Sequence, residues 1–215
     1  MRFLLRREKS LTIKDRDVSM KRKIDGIILA TFICGVFYSA TYPYIHKIVV
    51  SAVSDNWLAI NQIINCISII IFGSLWNKAS EKIFKFYPIL CMTEVILNVS
   101  LATLISFIHD IALYYILDTV IFATITRNIC CGYNKLVAIR YNNETVREQF
   151  GNNVNSASAL STIIGSCIAM AINLDNIIIM IWIAVLGNCV DNFFYIAIYH
   201  STLKKRRMKN DKTRT

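Results

Sequence analysis

The run IIIMIWIAVLGNCVDNFFYIAIY, residues 177–199, carries a single formal charge, Asp191. A stretch this long and apolar becomes either a buried core helix or a membrane span, and about 20 such residues suffice to cross the hydrocarbon layer. One run leaves that choice open. Runs of the same kind also occupy residues 24–44, 57–76, 87–108, 111–134 and 154–174, so the chain is apolar nearly end to end. Its hydrophobic share is 55% over 215 residues and its mean hydropathy is +0.46. Two prolines and seven glycines leave little loop punctuation. Inside lipid each segment must satisfy its own backbone polar groups, which a helix does. The expectation is therefore an all-α, polytopic membrane protein of six transmembrane helices. A transmembrane domain over residues 24–200 is flanked by basic tails at 1–23 and 201–215.

The joints are short. The third and fourth runs are separated by His109-Asp110, and the fifth and sixth by Leu174-Asp175-Asn176, so both pairs must fold as helical hairpins. The fourth connection, KLVAIRYNNETVREQFGNN, is longer, and the sequence suggests an amphipathic helical piece on the membrane surface there. Basic residues set the direction of threading. Of 24 Lys and Arg side chains, 22 fall in the two tails, the 77–86 elbow and the fourth connection. Lys47 alone lies on the opposite side, and Arg127 lies within a span. By the positive-inside rule both termini face the cytoplasm, in a cell membrane, either plasma or bacterial inner. Trp57 and Tyr199 suit interfacial belts. No cleavable signal peptide is read in MRFLLRREKS, whose apolar patch is too short. The net charge of +10 follows from this topology, and no nucleic-acid partner is expected; the basic tails are read as disordered arms held against anionic lipid.

Enzyme signatures are missing from the sequence. Gly165-Ser166-Cys167 does not form a G-x-S-x-G nucleophile elbow, and His46, His109 and His200 stand at the ends of runs. The seven cysteines form no C-x-x-C pair and read as buried apolar side chains. No Gly-rich phosphate loop and no metal-ligand spacing occur. Catalytic residues, cofactors and metals are accordingly not expected.

The elbow after the second run reads Gly73-Ser74-Leu75-Trp76-Asn77-Lys78-Ala79-Ser80-Glu81-Lys82. It resembles the G-x-L-x-D-R-x-G-R-[RK] loop between helices two and three of the major facilitator superfamily. Gly73, Leu75 and Lys82 fit, Lys78 fits by charge, and Asn77 replaces the acid. Val146-Arg147-Glu148-Gln149-Phe150 is similar to the stretch that enters helix five in that family. The resemblance extends over residues 20–200 and implies one six-helix half of such a transporter. It departs at helix four, where Arg127-Asn128-Ile129-Cys130-Cys131-Gly132 is one residue longer than the R-x-x-x-G spacing of proton-coupled drug exporters, and at helix five, which lacks their Gly-Pro pair. A half of this kind implies a truncated transporter, a half that pairs with a second copy or a second half, or a degenerate relative.

Charge inside a span costs about 2.5–3.5 kcal/mol at the centre on insertion scales, so such residues need partners or water. Glu94, Arg127 and Asp191 fall at a similar depth, which allows a Glu94–Arg127 or an Asp191–Arg127 pair. Asp118 stands nine residues before Arg127, half a turn out of phase in a regular helix. Asn61 with Asn65, Glu94 with Asn98 and Asn188 with Asn192 each share a helix face, pointing to interhelical hydrogen bonds or a polar path. In the family, helices one, two, four and five line the cavity. That resemblance makes Tyr38, Tyr42, Asn61, Asn65, Asp118 and Arg127 the candidate path, with Glu94 and Asp191 as intramembrane charge partners. Ala157, Ser161, Gly165 and Ala169 form a small-residue stripe suited to close helix packing, within the bundle or between copies.

The function this implies is movement of a small solute by alternating access, without ATP hydrolysis. Two alternatives stay open. One is a substrate-binding membrane subunit of a multi-component importer; the other is a membrane interaction or immunity-type protein that transports nothing.

Overall fold

The computed structural model describes residues 26–53, 55–78, 84–141, 143–171 and 176–212. These are almost wholly helical. Helix α1 spans Gly26–Ala52, α2 Asp55–Lys78, α3 Tyr87–Ile108, α4 Ile111–Ile121, α5 Arg127–Arg140, α6 Glu144–Ala171 and α7 Ile177–Lys212. A π-helical turn, Phe122–Thr126, joins α4 to α5 without a break in the helical backbone. Five helices (α1, α2, α3, α6 and α7) are long and apolar enough to cross a membrane, which makes this a multi-pass membrane protein. The apolar side chains they leave exposed, such as Ile63, Ile70 and Leu75 on α2, fit a lipid surround.

Local chemistry fixes the reversals. His109 takes a left-handed conformation at φ 60° and closes α3, its N–H bonding to the Ile105 carbonyl at 2.9 Å. Asp110 then caps α4 by accepting from the Leu113 N–H at 3.0 Å. Asn143 and Asn176 act alike, accepting from Thr145 N–H and Ile178 N–H, both at 2.9 Å. Pro88 in the first turn of α3 removes only an N–H that has no helical acceptor.

The helices overrun the apolar runs at several ends. Helix α1 passes through Pro43 to Ala52 rather than stopping near residue 44. Helix α5 runs to Arg140 and α6 starts at Glu144, so the fourth connection is a tight joint around Tyr141–Asn143 and not a separate surface helix. Helix α7 continues to Lys212, which replaces the expected disordered C-terminal arm. The N-terminal tail, residues 1–23, lies outside the described residues.

Packing follows a repeating rule. Helix α1 lies against α6 and α7, α3 against α7, α2 against α5, and α4 against both α1 and α3. Exchange α1 with the α4–α5 segment, α2 with α6, and α3 with α7. The main packings then map onto one another, α1–α6 onto α2–α5 and α1–α7 onto α3–α4. One row runs α6, α1, α4–α5, α2; α7 and α3 lie behind it. The small-residue stripe makes the α1–α6 seam, where Ser161, Gly165 and Ala169 are buried against Gly35, Ser39 and Val36. It is consumed within the chain, so it is not a face for a second copy.

One end of the bundle is closed by rings. Trp76, from the end of α2, packs edge-on against Phe84 and Tyr87, with centroids 5.4 and 5.9 Å away. Tyr199 leans on Phe84 and Tyr87 and is buried, so its ring belongs to this cluster. The Trp76 indole N–H donates to Asn128 Oδ1 at 2.6 Å. Trp76→Phe keeps the ring packing and strands that oxygen, so a loss of about 1 kcal/mol is expected in thermal or denaturant unfolding in micelles.

Candidate functional site

Tyr38 and Tyr42 sit one turn apart on α1 and are 42% and 55% exposed although they lie mid-helix in a packed bundle. Ser39 lies on the same flank, and its hydroxyl meets that of Thr162 on α6 at 3.5 Å. Thr162 belongs to a polar file. Glu148, Asn152, Asn155, Thr162 and Ser166 recur at three-, four- and seven-residue steps, so they share one face of α6. All are exposed except the half-buried Ser166. The opposite flank of the α1–α6 seam is different. An apolar crevice of about 130 Å³ opens there, lined by Val36, Ala40, Ile168 and Ile183 among others.

On the other side of α1 stands α4, which carries Asp118. Farther along, the Asn61 amide donates to the Tyr115 hydroxyl at 2.7 Å and Asn65 donates to Asn61. Arg127 approaches Asn65 Oδ1 with its Nε at 3.5 Å, and its guanidinium lies 4.5 Å from the centre of the Phe122 ring. The six path candidates thus fall on the α1, α2 and α4–α5 elements of one row. Asn61, Asn65 and Arg127 form one chain of contacts. Tyr42 stacks on His46 at 5.6 Å. Asn65 itself is buried.

The π turn alters the phase between Asp118 and Arg127. In a regular helix nine residues put them half a turn apart; a π turn takes up one extra residue and removes about 100° of that offset. The two charges then project toward neighbouring faces. Nothing in FATIT announces such a turn, since it contains neither Gly nor Pro. Thr119, just before it, and Thr124, within it, bond back to the carbonyls four residues earlier, a pattern that loosens helices.

Glu94 is not in this open row. It is 2% exposed and sealed between α3, the π turn and α7. Its Oε1 accepts from Thr126 and from the Asn188 amide at 3.2 Å, and its Oε2 accepts from the Asn192 amide at 2.8 Å. Asn98 donates to Asn188 Oδ1 at 3.2 Å. The shared depth read from the sequence holds: Glu94 meets Thr126, next to Arg127, and Asn192, next to Asp191. The pairing does not. Glu94 takes neutral amides and a hydroxyl, Arg127 takes Asn65 and Phe122, and Asp191 faces Tyr195 and Cys34. Two of the three asparagine pairs thus serve interhelical bonding between α3 and α7.

The elbow motif ends α2. Gly73 has open space where a Cβ would stand, so no close approach demands a glycine within this bundle. Leu75, Asn77 and Lys78 are exposed, and the Asn77 carbonyl accepts from the Lys135 ammonium at 3.3 Å. Lys82 lies outside the described residues. Trp76, Tyr115, Thr126 and the α6 file escaped the sequence reading. The file carried a usable signal, polar residues at helical spacing through an apolar run.

A scan against protein-family models finds no match, and neither do searches of curated proteins and of solved structures.

Proposed function

We propose that this chain is a secondary-transporter-like membrane protein that moves a small solute by alternating access without ATP hydrolysis. In this reading six spans cross a cell membrane, the α4–α5 segment forming the fourth, and both termini are cytoplasmic. The bundle corresponds to one half of a major facilitator transporter. The observation that carries the proposal is the open polar row at membrane depth. Tyr38, Tyr42, Asp118, Arg127 and the α6 file cannot face hydrocarbon without large cost, so they face water, a solute or another bundle. The exchange symmetry of the helix packing supports it too, because inverted repeats of three helices are a recurring plan of secondary transporters. A second half or a second copy across this row completes the solute path.

The test is accessibility. In a cysteine-free background, Tyr42→Cys is expected to react with a membrane-impermeant maleimide from one side of sealed vesicles. Its rate should change several-fold when an ion gradient is imposed. Protection from both sides in every condition contradicts transport. That outcome favours the second reading, a non-transporting interaction protein, which the sealed and mutually bonded Glu94 cluster supports.

A further inference from the structure

We propose that Glu94, Thr126, Asn188 and Asn192 form a binding site for a small monovalent cation of the sodium class. The first ground is an oxygen with nothing to accept. Asn192 is 1% exposed, and its Oδ1 has no hydrogen-bond partner among the described residues, although its amide nitrogen donates to Glu94. Buried carbonyl oxygens are rarely left so, and each such case asks for an unseen partner. Turning the amide over does not help. The same nitrogen also donates to the Asn188 backbone carbonyl at 3.1 Å and to Asn188 Oδ1 at 3.0 Å, so the flipped oxygen would meet two further oxygens.

The second ground is charge. Glu94 is bonded by a hydroxyl and two amides, all neutral. Arg127 is engaged with Asn65 and Phe122. Among the described residues no cationic side chain is paired with the buried Glu94 carboxylate, and a bound cation would supply that partner.

The ligand set selects the ion. The carboxylate of Glu94, Thr126 Oγ1, Asn188 Oδ1 and Asn192 Oδ1 are hard oxygens linked by single hydrogen bonds. Transition metals prefer nitrogen and sulfur, and no group of three His, Cys, Asp or Glu side chains gathers as metal ligands among the described residues. Calcium takes six to eight oxygens, commonly several of them carboxylates, whereas one carboxylate matches one positive charge.

Binding at equilibrium tests the site without any transport assay, so this proposal and the transport proposal fail separately. Full-length protein in nanodiscs is titrated with sodium chloride against choline chloride at constant ionic strength, read by sodium-23 line broadening and by melting temperature. Saturable broadening, displaced by lithium, and a rising melting temperature are expected for the wild type. Affinity should fall at least tenfold in both Glu94→Gln and Asn192→Ala, while Thr103→Ala, exposed on α3 with its hydroxyl on the Val99 carbonyl, should bind as wild type does. Absence of saturable sodium dependence in the wild type overturns the proposal, and that arm requires no variant to fold. Unchanged binding in a folded Glu94→Gln variant overturns it as well.

Discussion

Gly165→Leu is expected to pull α6 off α1 and to destabilise the protein by about 3 kcal/mol or more. Even a single Cβ at residue 165 would stand 2.7 Å from the Val36 carbonyl oxygen, 2.7 Å from Ser39 Cβ and 3.0 Å from the Ala40 nitrogen. Two of those three atoms are backbone, so no rotamer change relieves the clash and the helices must separate. The readouts are a lowered melting temperature and loss of a crosslink. Cysteines placed at Ser39 and Thr162, whose hydroxyls are 3.5 Å apart, should oxidise readily in the parent and poorly in the variant. Gly73→Leu is the control. Nothing lies within 4 Å of a Cβ there, and the change should alter stability by no more than about 1 kcal/mol.

The second large effect is expected at Glu94. Glu94→Ala removes the acceptor for Thr126, Asn188 and Asn192 together and strands donors that no water reaches. Hydrogen bonds in membrane bundles are individually modest, so the summed loss should be about 2–4 kcal/mol in reversible unfolding from micelles. Glu94→Gln is expected to lose less than half of that. Its amide keeps one oxygen for Thr126 and Asn188, and the shape is conserved. Equal losses in the two variants would mean that packing, and not the acceptor set, holds this cluster.

The sequence made the multi-pass helical architecture legible because hydropathy reports on lipid directly. The 87–108 run became α3 as Tyr87–Ile108. Helix ends were less legible, since hydropathy marks where the bilayer stops and not where a helix stops. The last helix leaves the apolar run and continues through STLKKRRMKNDK to Lys212, where lysine and arginine are good helix formers. Pro43 stands one residue inside the end of the 24–44 run. The helix passes it, as spans do when nearby hydroxyls and neighbouring helices take up the freed backbone groups.

The site was only partly legible for a related reason. Depth along a helix is countable, so Glu94, Arg127 and Asp191 were placed at one level. Azimuth is not countable once a π turn intervenes, and so the partner of each charge could not be read. Glu94 faces α7 amides, whereas Arg127 faces Asn65 on α2. The elbow motif illustrates the limit of pattern. Gly73 and Lys78 lie on α2, and the contact that anchors this end is the Trp76 indole on Asn128, a residue pair the motif does not specify.

The central claim is that a polar row faces water or another polar surface at membrane depth, and spin-label accessibility along α6 tests it most directly. Nitroxides are placed singly at Asn155 and Thr162 on the polar file and at Ile163 and Ile164 on the apolar side, in a lipid bilayer. The account predicts that the first two collide preferentially with a water-soluble nickel chelate and the last two with oxygen. Preference for oxygen at all four positions would place the file in lipid and contradict the account.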